Sequence, residues 1–168
     1  TNTLFIRLTT YGLENYCYVS PPPATLQQEL AQLQRLPKIS VIVPVKVEEN
    51  NQVNSNWEAC LNSVMTQIYP HWELCMATVG EDASGFLNLA DLGNFSKAST
   101  LVKVVSASPA NLLNQALTAI TGDYFAILYP DDLLTQEALL EVAKYLHQTL
   151  GTVDMLYSDE DKVNNGGL

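Results

Sequence analysis

Apolar positions recur along the chain with two periods, as short β-branched runs and as longer stretches with every third or fourth residue apolar, which predicts alternating strands and helices. Residues 38–44, Lys-Ile-Ser-Val-Ile-Val-Pro, form a compact run closed by proline, the pattern of a strand buried on both faces of a parallel sheet. Residues 72–77, 101–105, 124–128 and 155–158 supply four further short strands. Helical patterns lie between most of them. Trp57, Leu61, Val64, Met65 and Ile68 follow a capping box at Ser55 and Glu58 and stop before Pro70. Leu112, Leu113, Ala116, Leu117 and Ile120 follow Ser108 as N-cap and Pro109 as first helical residue, with Gly122 as the stop. Ala138, Leu139, Val142, Ala143 and Leu146 follow Thr135 as cap, with Gly151 as the stop. The order strand, helix, strand demands right-handed crossovers. It predicts an α/β fold, a mostly parallel sheet flanked by helices on both faces, with ligands received at the carboxyl ends of the strands.

Residues 1–37 read as a lead-in: an apolar run Leu4-Phe5-Ile6, tyrosines at 11, 16 and 18, a stiff Pro21-Pro22-Pro23 linker, and one amphipathic helix. That helix opens on a capping box at Thr25 and Gln28, carries Leu26, Leu30, Leu33 and Leu36, and stops at Pro37. Residues 38–168 form the ligand-binding domain. No internal repeat is seen.

Composition agrees with one globular domain: 168 residues, 47% hydrophobic and 15% charged, suffice for a core without staples. A formal charge of −10 excludes nucleic acid as a partner, since a phosphate backbone is bound by clustered Lys and Arg. The apolar runs are too short to span a bilayer, so no transmembrane segment is expected. The first residues carry no secretion pattern, and a cytoplasmic setting, at most peripheral to the inner face of the membrane, is the expectation. Cys17, Cys60 and Cys75 lack metal-ligand spacing and read as reduced, structural thiols.

Three acidic groups lie where predicted strands end. Asp131 and Asp132 close the fourth strand, where oxygen ligands suit Mg²⁺ or Mn²⁺ bridging a diphosphate; the plainer reading is a turn that starts the next helix. Glu81 and Asp82 follow the second strand and suit a base imide N–H, or simply an exposed loop. Residues 158–162, Ser-Asp-Glu-Asp-Lys, end the fifth strand and fit a solvated turn equally well. His71 and His147 are assigned no role. Glycine-rich dinucleotide, Walker and nucleophile-elbow motifs are missing from the sequence.

Together these residues resemble the family 2 glycosyltransferases, over about residues 25–163. The resemblance rests on residues 38–45 (Lys-Ile-Ser-Val-Ile-Val-Pro-Val), 63–75 (Ser-Val-Met-Thr-Gln-Ile-Tyr-Pro-His-Trp-Glu-Leu-Cys), 119–124 (Ala-Ile-Thr-Gly-Asp-Tyr), 131–134 (Asp-Asp-Leu-Leu) and 157–162. It implies a Rossmann-like GT-A fold, truncated here to its nucleotide-sugar-binding part, with Pro44, Val45, Glu81, Asp82, Asn114 and Asp131 at a nucleotide-diphosphate sugar and Asp131 and Asp132 at a divalent cation. It implies a glycan or polysaccharide acceptor and inverting transfer, with the general base expected beyond residue 168.

The chain departs from the family pattern at named places. Tyr129 stands where the Asp-x-Asp motif has its first aspartate, Lys46-Val47 replaces Tyr-Asn after the first strand, and Ala107-Ser108 replaces Gly-Gly beside the donor. Two functions stay open. One is metal-assisted glycosyl transfer; the other is a catalytically inactive GT-A domain serving as a binding or scaffold module. A receiver-like or flavodoxin-like domain would also place acids at strand ends but explains none of the quoted strings.

Overall fold

A computed structural model describes residues 5–7, 23–45, 57–79, 102–149 and 153–157. Six strands, β1 (Phe5–Arg7), β2 (Ile39–Val45), β3 (Trp72–Val79), β4 (Val102–Ala107), β5 (Tyr124–Ile127) and β6 (Met155–Tyr157), form one sheet. Its order is β4-β3-β2-β5-β1-β6, and every neighbouring pair is parallel. Four helices accompany it: α1 (Pro23–Gln32), α2 (Trp57–Met65), α3 (Leu112–Ala119) and α4 (Ala138–Gln148).

Strand pleating sends alternate residues to opposite faces, and each face meets its own helices. Val41, Val43, Leu74, Met76, Ala126 and Leu128 join Leu26 of α1, Leu61 and Val64 of α2 and Leu139, Val142 and Leu146 of α4 in one buried cluster. Ile42, Cys75, Ala77, Phe125 and Ile127 point the other way and pack on Leu112 and Ala116 of α3. The layered α/β architecture expected from the sequence is therefore present. Among the described residues no helix is long and apolar enough to cross a membrane.

Several helix starts differ from expectation. The first helix begins at Pro23, so Thr25 lies inside it. Helix α3 is entered from Asn111 rather than Ser108, because Ser108 instead closes a turn in which its carbonyl accepts from Asn111 N–H at 2.9 Å. It ends at Ala119 with Ile120 already extended, before Gly122. Helix α4 starts at Ala138, and Thr135 is left in the preceding turn. Phe5 and Ile6 of the apolar run continue with Arg7 as a strand: β1 sits between β5 and β6, pairing Phe5 with Phe125 and with Met155. Ser55 and Gly151, named above as cap and stop, lie outside the described residues.

The amino ends of β2, β3 and β5 are tied by one polar network. Glu73, buried at the start of β3, accepts from Ser40 Oγ at 2.7 Å, from Lys38 Nζ at 2.8 Å, from Thr121 Oγ1 at 3.0 Å and from Thr121 N–H. Gly122 N–H donates to Ser40 Oγ at 2.9 Å, and Lys38 N–H donates to Asp123 Oδ2 at 2.8 Å. Burial of Ser40 and Glu73 strengthens the bond between them and makes the loss of either partner costly.

Candidate functional site

Strand order locates the ligand edge. From β2 the sheet grows through β3 to β4 in one direction, then resumes at β5 on the other side of β2. Crossovers leaving in opposite directions open a crevice between the carboxyl ends of β2 and β5, the topological switch point of a parallel sheet. Pro44 and Val45 end β2 on one side of it, and Tyr129, Asp131 and Asp132 follow β5 on the other. Leu128 N–H still bonds to Ile42 O at 2.9 Å, so the chain leaves the sheet only at Tyr129.

The sequence-predicted residues separate at this edge. Asp131 is exposed and Asp132 half-buried, in a turn closed by Asp132 N–H donating to Tyr129 O at 2.9 Å. Pro44 is half-buried, while the Val45 side chain lies in the core and leaves only its backbone for a ligand. Asn114 is exposed in the first turn of α3. That helix follows β4, three strand steps from β5, about 14 Å at ordinary strand spacing. A ligand touching both Asn114 and Asp131 therefore has to be extended. Glu81, Asp82, the stretch 46–47 and residues 158–162 lie outside the described residues.

Underneath the acidic turn, α2 and the turn after it present a stripe of polar groups that pattern reading passed over. Cys60 Sγ donates to Tyr129 O at 3.4 Å. Ser63 Oγ accepts from Leu134 N–H at 3.1 Å. The buried Gln67 donates through Nε2 to Thr135 O at 2.6 Å and to Ser63 O at 3.0 Å, and accepts at Oε1 from Leu139 N–H at 2.9 Å. Ile68 N–H donates to Gln136 O at 2.9 Å. The Leu139 bond satisfies one of the orphan donors at the start of α4, whose own N-cap, Glu137, makes no side-chain cap. The spacing 60, 63, 67 is a helical face, the one signal from which this stripe was legible.

Electrostatics link stripe and turn. Burial first, then the negative charges of Asp132 and Asp131, push the Cys60 thiol from its ordinary 9.0 up to about 12. Among the described residues no group of three or more His, Cys, Asp or Glu could enclose a metal. Asp131 and Asp132 are neighbouring carboxylates, one exposed and one half-buried, and carboxylate oxygen is the donor type that Mg²⁺ or Mn²⁺ takes when water and phosphate oxygens complete the shell.

Three crystal structures of S. aureus TarS share this architecture. TarS residues 1–349 superpose with a TM-score of 0.52 at 23% identity, covering 66% of this chain and 32% of that one. The same TarS segment in complex with UDP gives 0.51 at 22% identity, with the same coverage. The chain has a GT-A glycosyltransferase-like fold. Over 147 residues, 84% of its length, this GT-A unit is 32% identical to the O-antigen biosynthesis protein RfbC of Myxococcus xanthus and 32% identical to the uncharacterized protein y4gI of Sinorhizobium fredii. It spans 11% and 15% of the lengths of those proteins. No family model matches it.

Proposed function

We propose that the chain is the donor-binding part of a family 2 glycosyltransferase, taking a nucleotide-diphosphate sugar for transfer to a glycan or polysaccharide acceptor. The observation that carries this reading is the placement of Asp131 and Asp132 at the switch point of a GT-A sheet, beside the end of β2. The UDP complex of TarS and the likeness to the O-antigen biosynthesis protein RfbC support it. In this reading the backbone at Pro44 and Val45 lines the nucleoside, Glu81 and Asp82 receive the base, Asn114 reaches the donor from α3, and Asp131 and Asp132 face the diphosphate. A divalent cation, Mn²⁺ or Mg²⁺, held by that pair would neutralise charge on the departing diphosphate. The chain's own contribution is to fix two carboxylates on a turn that does not have to reorganise when charge develops.

Tyr129 supports a second reading. It is 46% exposed at the rim where the family motif places its first aspartate, and a domain without that carboxylate suits a binding or scaffold role. Calorimetry with UDP, GDP and dTDP sugars, with and without Mn²⁺, separates the two. Metal-dependent binding that disappears in Asp131→Asn/Asp132→Asn upholds the first. An absence of binding by every donor overturns it and leaves the second.

A further inference from the structure

Resting on the donor-binding reading, we propose that Gln67, assisted by Ser63, is a positioning residue for the Asp131–Asp132 pair. Residues 129–137 form an irregular connection between β5 and α4, with no sheet or helix ladder to fix their backbone. Asp132 N–H to Tyr129 O and Ala138 N–H to Thr135 O are among the bonds that close it internally. Bonds from the inner face of α2 and the turn after it anchor this connection to the rest of the molecule. Cys60 holds the carbonyl at its start, Ser63 the amide of Leu134, and Gln67 both the carbonyl of Thr135 and the amide of Leu139.

Gln67 is the centre of that arrangement for a chemical reason. A primary amide donates twice and accepts once in one plane, and here all three functions are used across two elements far apart in sequence. Leucine or methionine would fill the space but leave the Thr135 carbonyl and the Leu139 amide unanswered in a buried setting. Glutamate would accept from Leu139 but set a carboxylate against two carbonyl oxygens. Outer partners that orient a metal's carboxylates commonly change metal affinity tenfold or more when removed, without touching the ion.

The test is a double-mutant cycle on this chain, read by titration of UDP, GDP and dTDP in turn, with and without Mn²⁺. Gln67→Met is expected to weaken Mn²⁺-dependent nucleotide binding about tenfold and to leave metal-free binding within about twofold. In an Asp131→Asn/Asp132→Asn background, where metal-free binding is what remains to be read, the same substitution is expected to leave that binding within about twofold, because no metal-holding pair remains to be positioned. A purely structural glutamine would instead weaken both kinds of binding and act equally in both backgrounds. If Gln67→Met does not fold, Ser63→Ala, which removes the Leu134 anchor together with the bond from Ser63 Oγ to Cys60 O, is expected to show the same pattern at about threefold. Binding within twofold of wild type, or a loss that persists without the aspartates, overturns the proposal while the donor-binding reading stands. Wild-type protein that binds none of the three nucleotides sinks both.

Discussion

Ser40 and Glu73 face each other across β2 and β3, the hydroxyl donating to the carboxylate at 2.7 Å with both side chains almost wholly buried. The same carboxylate meets Lys38 and Thr121, so it joins three strands at the rim opposite the acidic turn. Glu73→Ala would strand the Ser40 hydroxyl and the Thr121 amide and should cost about 3 kcal/mol of stability, measured by urea unfolding. Glu73→Gln should cost less, since the amide oxygen still accepts. Neither should alter nucleotide affinity where the protein is folded.

Gly122 has no room for a side chain. A Cβ there would lie 2.4 Å from Ser40 Oγ, 2.8 Å from Ser40 N and 2.8 Å from Tyr124 O. Gly122→Ala should therefore destabilise by about 2 kcal/mol. Adding Ser40→Ala removes the closest clash but neither backbone one, so thermal melts should show little recovery in the double variant.

Tyr69 OH donates to Pro37 O at 2.6 Å in a buried setting, and burial, then Asp123, raises its phenol above its ordinary value. Tyr69→Phe leaves that carbonyl unanswered and should lower stability by about 1–2 kcal/mol. A loss under about 0.5 kcal/mol, the scatter expected of an exposed substitution, would mean that water replaces the phenol.

The Cys60 thiol gives a pH dependence with a definite sign. Its folded value, about 12, exceeds its ordinary 9.0, so its contribution is complete below pH 9. As pH climbs from 9 towards 12 the unfolded chain ionises first and that stability is lost. Wild-type stability should fall more steeply over this window than that of Cys60→Ala. Iodoacetamide should label Cys60 slowly in the native protein at pH 9, and faster in Asp131→Asn/Asp132→Asn, whose thiol no longer sits beside two negative charges.

Much of the fold was legible because periodicity reports which residues are hidden. The apolar run at 38–44 is β2 with nearly every residue buried, and the stripes from Trp57, Leu112 and Ala138 became α2, α3 and α4. Helix starts were less legible. Thr135 looks like a cap, yet α4 begins three residues later, because Gln67 supplies a bond from another element to the amide of Leu139. Likewise, Glu73 and Gly122 stood out as parts of recognisable strings, but no pattern in either string says that both bond to the hydroxyl of Ser40.

The sequence alone determined the alternation of strands and helices, the carboxylates after the fourth predicted strand, and the net charge of −10. Those properties are local, set by side-chain period, turn chemistry and charge. Tertiary structure decided the strand order β4-β3-β2-β5-β1-β6, and with it the crevice between Val45 and Asp131 and the anchoring of the acidic turn by Cys60, Ser63 and Gln67. The physical reason is that which strands become neighbours depends on packing two apolar faces of one sheet at once, a condition on the whole chain that no single segment carries.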